Sequence, residues 1–339
     1  MRTLYNIRLM PLLLISIFLL TWSCRREVEV PLPARPQIVG KPSVASLGGL
    51  VTGAVGGDKI EFRVDMYVVD RSGKYVQGLN QSNFGITATS PASFTYSLAK
   101  LEVVNQAAKT GGYSAMLLLD QSGSILSTDP KDLRISASKI FLDYLGTSDQ
   151  AGLASFTDDY FGAVKVHQTF SRNTAAMKKS LDTLATTEDG GTPLYYSSVL
   201  MTDYTATNAK TANKAVIIFT DGENTNSSAT LANAIDRAKN QGVPLYMVGL
   251  SNGVNVSVLS RMANETGGAF FYAKDAEQLV TSFGTLGNLL RGSAQLYRST
   301  WTAARRTGKW TSGQIISETI KVALPNGDII DVPFYLQIP

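Results

Sequence analysis

Ala115-Met116-Leu117-Leu118-Leu119-Asp120-Gln121-Ser122-Gly123-Ser124 opens with five apolar residues in a row and then turns abruptly polar. A strand that is apolar on both sides belongs in a parallel sheet whose two faces are both covered by helices. Ala215 to Phe219 repeats the pattern and ends in Thr220-Asp221-Gly222-Glu223. Helical spacing separates such runs. Leu133, Ala137, Ile140, Phe141 and Tyr144 recur after Asp129-Pro130, which reads as a helix start; Met177, Leu181 and Leu184 mark a second helix. Ala151 to Phe156 and Ala163 to Phe170 are strand-like. Leu231, Ala234, Ile235 and Ala238 form a helix stopped near Gly242-Val243-Pro244. Leu245 to Leu250, a helix around Val258 to Met262, Ala269 to Tyr272 and a last helix from Ala276 to Leu290 complete the series. The expected fold is α/β, a doubly wound and mostly parallel sheet of Rossmann-like type.

On either side the pattern changes. Glu61 to Val69 alternates with period two and meets the turn cluster Arg71-Ser72-Gly73-Lys74. Val76 to Leu79 and Phe84 to Thr87 add short strand-like pieces, Ser93 to Val104 is another alternating stretch, and residues 43–108 contain no amphipathic helix. This is antiparallel β material, most simply a sandwich. After Gly292 the β character returns: Ile315 to Leu324 alternates, Pro325-Asn326-Gly327-Asp328 is a hairpin turn, and Ile329 to Ile338 is the return strand. Two strands are too few to bury a core. They are expected to pair with the first β segment, so that the α/β part is inserted into one sandwich; the alternative is a separate hairpin lying against it. The Trp301 to Trp310 stretch, with Arg305 and Arg306 inside it, reads as sandwich core plus a basic loop. The expected division is residues 43–110 and 292–339 as the two sandwich parts, flanking an α/β domain at 111–291.

At the N-terminus, Arg2 and Arg8 precede the apolar run Leu12 to Leu20 and then Thr21-Trp22-Ser23-Cys24, which reads as a secretory signal over residues 1–23. The run is shorter than the roughly 20 residues that span a bilayer. Cys24 is the only cysteine of the 339 residues, and its position resembles the lipobox of bacterial lipoproteins, which implies an acylated Cys24, a membrane anchor and an extracytoplasmic place in a bacterial envelope. Ser23 fits that pattern, while Thr21 and Trp22 depart from it. An ordinary cleaved signal and a short N-terminal anchor are the alternatives. Residues 24–42, with Pro31, Pro33, Pro36 and Pro42, read as an extended stalk.

Composition narrows the chemistry. One cysteine and one histidine exclude a disulfide framework, a cysteine-rich zinc site and a multi-histidine centre, so any metal must be held by oxygen. The net charge of +4 is misleading as a whole. Residues 1–111 carry 12 Lys and Arg against 7 Asp and Glu, residues 292–339 carry 5 against 3, and the α/β part carries 14 against 17. With no dense basic block among aromatics, nucleic-acid binding is not expected.

In an open α/β sheet the functional groups collect at the carboxyl ends of strands. There the chain places Asp120, Ser122 and Ser124 in a D-x-S-x-S element, Asp221 after the second apolar run, and Gly190-Gly191-Thr192-Pro193 between them. Two carboxylates and three hydroxyls suit Mg²⁺, Mn²⁺ or Ca²⁺. They would neutralise the ion without filling its coordination sphere, leaving a place for an outside carboxylate. From Tyr113 to about Leu290 the chain resembles a von Willebrand factor A domain with its metal-ion-dependent adhesion site. The resemblance implies that Ser122, Ser124 and Thr192 coordinate directly, that Asp120 and Asp221 act directly or through water, and that the chain binds an acidic partner rather than catalysing a reaction. Mg²⁺ is the first choice of ion. The β segment around Asp70 to Asn80 resembles, less specifically, the Ig-like segments that precede such domains in bacterial surface proteins.

Other groups carry plainer readings. Asp129 is expected to cap a helix rather than support a second ion, Glu223 to be a solvated loop acid, and His167 to be a structural histidine. Two further functions compete with adhesion. One is a structural scaffold of an envelope assembly. The other is an Mg²⁺-dependent hydrolase, for which only Asp120 and Glu223 are available as bases, without a G-x-S-x-G elbow or a phosphate loop.

Overall fold

The structure is a computed structural model and describes residues 43–339, apart from 73, 106–108, 160–161, 222–223, 226, 251–253, 274–277, 279–281, 283–285, 288 and 291–293. The signal segment, Cys24 and the stalk lie outside the described residues, as does Glu223. Among the described residues no helix is long and apolar enough to cross a membrane.

The strands are β1 (Val44–Gly56), β2 (Lys59–Val69), β3 (Phe84–Thr87), β4 (Phe94–Asn105), β5 (Tyr113–Asp120), β6 (Gln150–Asp159), β7 (Gly162–Ser171), β8 (Asn213–Thr220), β9 (Leu245–Leu250), β10 (Phe270–Ala273), β11 (Gln295–Arg305), β12 (Ile315–Ala323) and β13 (Ile329–Gln337). The helices are α1 (Ile125–Thr128), α2 (Leu133–Asp143), α3 (Thr174–Asp182), α4 (Leu194–Asn208), α5 (Leu231–Gln241) and α6 (Val256–Thr266). Of the helix expected from Ala276 to Leu290, the described Leu286, Leu289 and Leu290 are buried.

All eight positions of β5 and all six of β9 are buried, as strands covered on both faces must be. Side chains alternate across the sheet. Ala115, Leu117 and Leu119 of β5 therefore join Ile135 and Phe141 of α2 and Met177 and Leu181 of α3 in one core. Met116 and Leu118 join Leu194 and Met201 of α4, Ile235 of α5 and Met262 of α6 in the other. Strands β10, β9, β8, β5 and β6 run parallel, and β7 closes that edge antiparallel to β6. Helix ends follow their local chemistry. Thr230 and Asn233 form a capping box at the start of α5, and α5 and α6 stop at Gly242 and Gly267 in the left-handed conformation.

The flanking strands do not form a separate body. β1 pairs antiparallel with β10, so the order β4-β11-β2-β1-β10-β9-β8-β5-β6-β7 is one ten-stranded sheet. β11, from beyond the α/β part, lies between β2 and β4 from before it. A second sheet, β13-β12-β3, also joins strands from both sides. It packs on the same face of the large sheet as α4, α5 and α6, with the Phe62 and Phe334 rings stacked 5.4 Å apart. Trp301 and Trp310 are buried there, and the Arg305 guanidinium lies 5.3 Å from the Trp310 ring. Val76 to Leu79 is loop rather than strand: after the isolated Tyr75–Val69 bridge and the bond from Val76 N to Val68 O, the Tyr297 hydroxyl donates to Val76 O and accepts from Leu79 N.

Candidate metal centre

β5 ends at Asp120, and the loop from Gln121 to Ser124 leads into α1. Asp120 is fully buried. Its Oδ1 accepts from the Ser122 amide at 2.9 Å and its Oδ2 from Thr220 Oγ1 at 2.7 Å. Burial pushes its carboxyl up to about 6, against the opposing pull of the Ser122 and Thr220 hydrogen bonds. The nearby Asp221 carboxylate pushes in the same direction as burial. Ser122 is buried and Ser124 exposed, with their hydroxyl oxygens 3.0 Å apart. Hydroxyls rotate freely enough to turn lone pairs toward one point.

β8 ends one residue before Asp221, whose buried Oδ2 accepts from Thr128 Oγ1 at 3.2 Å. Its Oδ1 is buried with no hydrogen-bond partner among the described residues. A buried carboxylate oxygen without a donor is costly, and a cation relieves the cost. Thr192, in the loop before α4, is buried as well.

These three loops are stitched together. Gly123 N donates to Gly190 O at 3.0 Å, joining the first loop to the second. Thr192 N donates to Thr225 Oγ1 at 2.7 Å, and Thr225 N to Thr192 O at 2.8 Å, joining the second to the third. Thr128 Oγ1 reaches Ser124 O at 3.2 Å as well as Asp221, joining the first to the third. Gly190 has φ +75° and sits against Thr157 and Asp158, so both its backbone conformation and its surroundings exclude a side chain.

Thr128 and Thr225 carry no signal in the sequence. Thr220 is visible there only as the residue preceding Asp221. Asp129 accepts from Leu133 N at 2.7 Å and Arg134 N at 3.1 Å, so it does cap a helix. That helix starts at Leu133 rather than at Pro130, because Asp132 takes a left-handed φ of 51° just before it. Asp129 also pairs with Arg134, which leaves it engaged away from any second ion. His167 Nε2 lies 2.8 Å from Ser155 Oγ.

Among the described residues no group of three or more Asp, Glu, His or Cys side chains is placed to hold a metal. An ion here depends on hydroxyl oxygens beside the two carboxylates, a donor set that suits a hard cation and not a thiolate- or imidazole-seeking one.

Residues 116–285 match the family model of the von Willebrand factor type A domain. Calcium-activated chloride channel regulator 1 of Mus musculus is 27% identical over 245 residues, 69% of this chain and 24% of its own length. The chain thus spans about a quarter of that relative. A von Willebrand factor type A structure from Catenulispora acidiphila is similar with a TM-score of 0.47 and 12% identity, over 90% of this chain and 75% of its own. Proximal thread matrix protein 1 from the mussel byssus, solved with a zinc-occupied MIDAS motif, has a TM-score of 0.46 and 19% identity, over 59% of this chain and 49% of its own.

Proposed function

Because the chain belongs to the von Willebrand factor type A domain family, we propose that Asp120, Ser122, Ser124, Thr192 and Asp221 hold a divalent cation whose remaining position takes a carboxylate of a partner. Mg²⁺ is the first choice, and Mn²⁺ and Ca²⁺ suit the same oxygens. The chain then acts as a binding module rather than an enzyme. In the same reading Cys24 is acylated and holds the protein to a membrane of a bacterial envelope, with the site outside the cytoplasm.

The observation that carries the reading is the buried Asp221 Oδ1, without a donor among the described residues and near Asp120, at the carboxyl ends of the adjoining strands β5 and β8. Two buried carboxylates held near one another repel, and an ion between them removes the repulsion. When bound, the cation supplies a Lewis-acidic position for an anionic oxygen. The protein's own role is to hold the donors: Thr220 and the Ser122 amide fix Asp120, Thr128 fixes one oxygen of Asp221, and the Thr192–Thr225 pair fixes the middle loop.

Two measurements test this. Mg²⁺ or Mn²⁺ should raise the thermal midpoint of the full chain, by an amount equivalent to about 2.7 kcal/mol at a hundredfold excess over Kd. Asp120→Asn should abolish that shift while leaving the metal-free protein folded. Capture of partners from envelope extracts should succeed in Mg²⁺ and fail in EDTA or with Asp120→Ala. Capture that persists in EDTA would overturn the adhesion reading.

A further inference from the structure

Beneath the first two site loops lies a fully buried arginine. Arg134, in the first turn of α2, is 0% exposed, and such a guanidinium must have every direction of its fork answered. It has. Nη1 donates to Asp129 at 3.0 Å and to Asp132 at 3.1 Å. Nη2 donates to Gln121 Oε1 at 2.9 Å and to Glu188, and Nε to Gln121 Oε1 at 3.3 Å.

The partners matter by their position. Gln121 stands between Asp120 and Ser122; its own Nε2 donates to Leu184 O at 2.8 Å and Thr187 Oγ1 at 3.0 Å, on the segment leading to Thr192. The backbone repeats the join, since Asp189 N donates to Gln121 O at 2.9 Å. Glu188 is four residues before Thr192. Asp129 closes the turn that follows α1. One planar group therefore holds the D-x-S-x-S loop, the loop of Thr192 and the start of α2 in fixed relation, without itself facing the site.

We infer that Arg134 is a positioning residue of the cation site, acting through Gln121 and Glu188 to set the spacing of Ser122 and Ser124 against Thr192. The inference rests on the metal reading above. Groups that orient metal ligands from behind are commonly worth 10–100-fold in affinity, and only a forked cation can reach all these acceptors at once.

The probe is Mn²⁺, titrated into the full chain and followed by water-proton relaxation. Arg134→Lys keeps the charge and loses the fork. Gln121→Met cuts the link to the first loop while leaving Arg134 its carboxylates, so it creates no unpaired buried charge and keeps the test open should Arg134→Lys fail to fold. Both are expected to weaken Mn²⁺ binding about 10–100-fold. Arg298→Gln, which breaks the pair between Arg298 on β11 and Asp65 on β2, is the control and should leave Mn²⁺ affinity unchanged while lowering stability. Amide exchange at Gly123 and Asp189, whose N–H groups close the two loops, should speed up in the first two variants and not in the control. Folded Gln121→Met protein with unchanged Mn²⁺ affinity and unchanged exchange overturns the inference. Should the wild-type chain bind no Mn²⁺, the metal reading falls and takes the inference with it, whereas Mn²⁺ binding by wild type that Gln121→Met leaves unchanged overturns the inference alone.

Discussion

His167 is the chain's single histidine, half-buried on β7 with Nε2 against Ser155 Oγ. Burial first, and Lys165 second, hold its pKa below the ordinary 6.5. The unfolded chain therefore takes up this proton before the folded one. The imidazole's contribution to stability is intact above about pH 6.5 and is lost as pH falls from there through the folded value. Denaturation midpoints of wild type and His167→Gln should accordingly converge as pH drops from 7 toward 5. An NMR titration of the lone imidazole that places its pKa above 6.5 would contradict this. At the same scale, Asp120, Ser122, Ser124, Thr192 and Asp221 can be picked out of the sequence as candidates because each follows a strand pattern or a glycine pair. Thr128 and Arg134 cannot. A threonine and an arginine on helical segments look like solvated surface until the fold closes over them.

Among the elements, Phe334 of β13 is fully buried and stacks on Phe62 of β2, so it holds the small sheet to the large one. Phe334→Ala removes that ring from a packed layer and is expected to cost about 3–5 kcal/mol. Urea denaturation measures the loss; a cost under about 1 kcal/mol, the scale of a surface substitution, would mean the two sheets are not packed as described. Most strands that alternate or run fully apolar are legible to within a residue or two, and Leu245–Leu250 and Phe84–Thr87 coincide with their sequence readings. Three long elements are not. β11 alternates over Gln295–Arg305, yet the sequence reading takes only its Trp301 end, as sandwich core. α4 buries Ser197, Ser198, Thr202 and Thr205 along with its apolar residues, so no apolar stripe announces it. β1 contains Gly48, Gly49, Gly53 and Gly56, which erase its alternation. A side chain at Gly48 would run into the Tyr67 ring, so packing demands the glycine that hides the strand.

Across the whole molecule, the sequence suggests an α/β region set into a sandwich, and it carries no hint that one sheet runs through both. The β1–β10 join is invisible locally, because pairing at a sheet edge depends on which strands end up adjacent. Ser46 lies opposite Phe271 and Leu47 opposite Phe270, antiparallel, so Val44 stands level with the carboxyl end of β10. The carboxyl ends of β5 and β8, with Asp120 and Asp221, face the same way. The first described strand thus begins at the edge of the sheet that bears the candidate site. β13 instead starts beside Ser43, through Asp328, and finishes near Leu50, toward the opposite edge. Tension between residue 43 and a partner held at Asp221 would run across the strands, along the hydrogen bonds that join them. Bonds loaded in that direction break in succession, like a zipper. Among the described residues the shortest seam of the large sheet is β1 against β10, with two residue pairs. α6 spans it as a strap through the Asn264 side-chain amide, which donates to Leu50 O. Pulling between those two points by single-molecule force spectroscopy should open this seam first, and Asn264→Ala should lower the rupture force. An unchanged force would put the mechanical weak point elsewhere. A load applied across this seam would therefore be shared between two backbone pairings and the α6 side chain that bridges it, and the sheet would part there in steps rather than all at once.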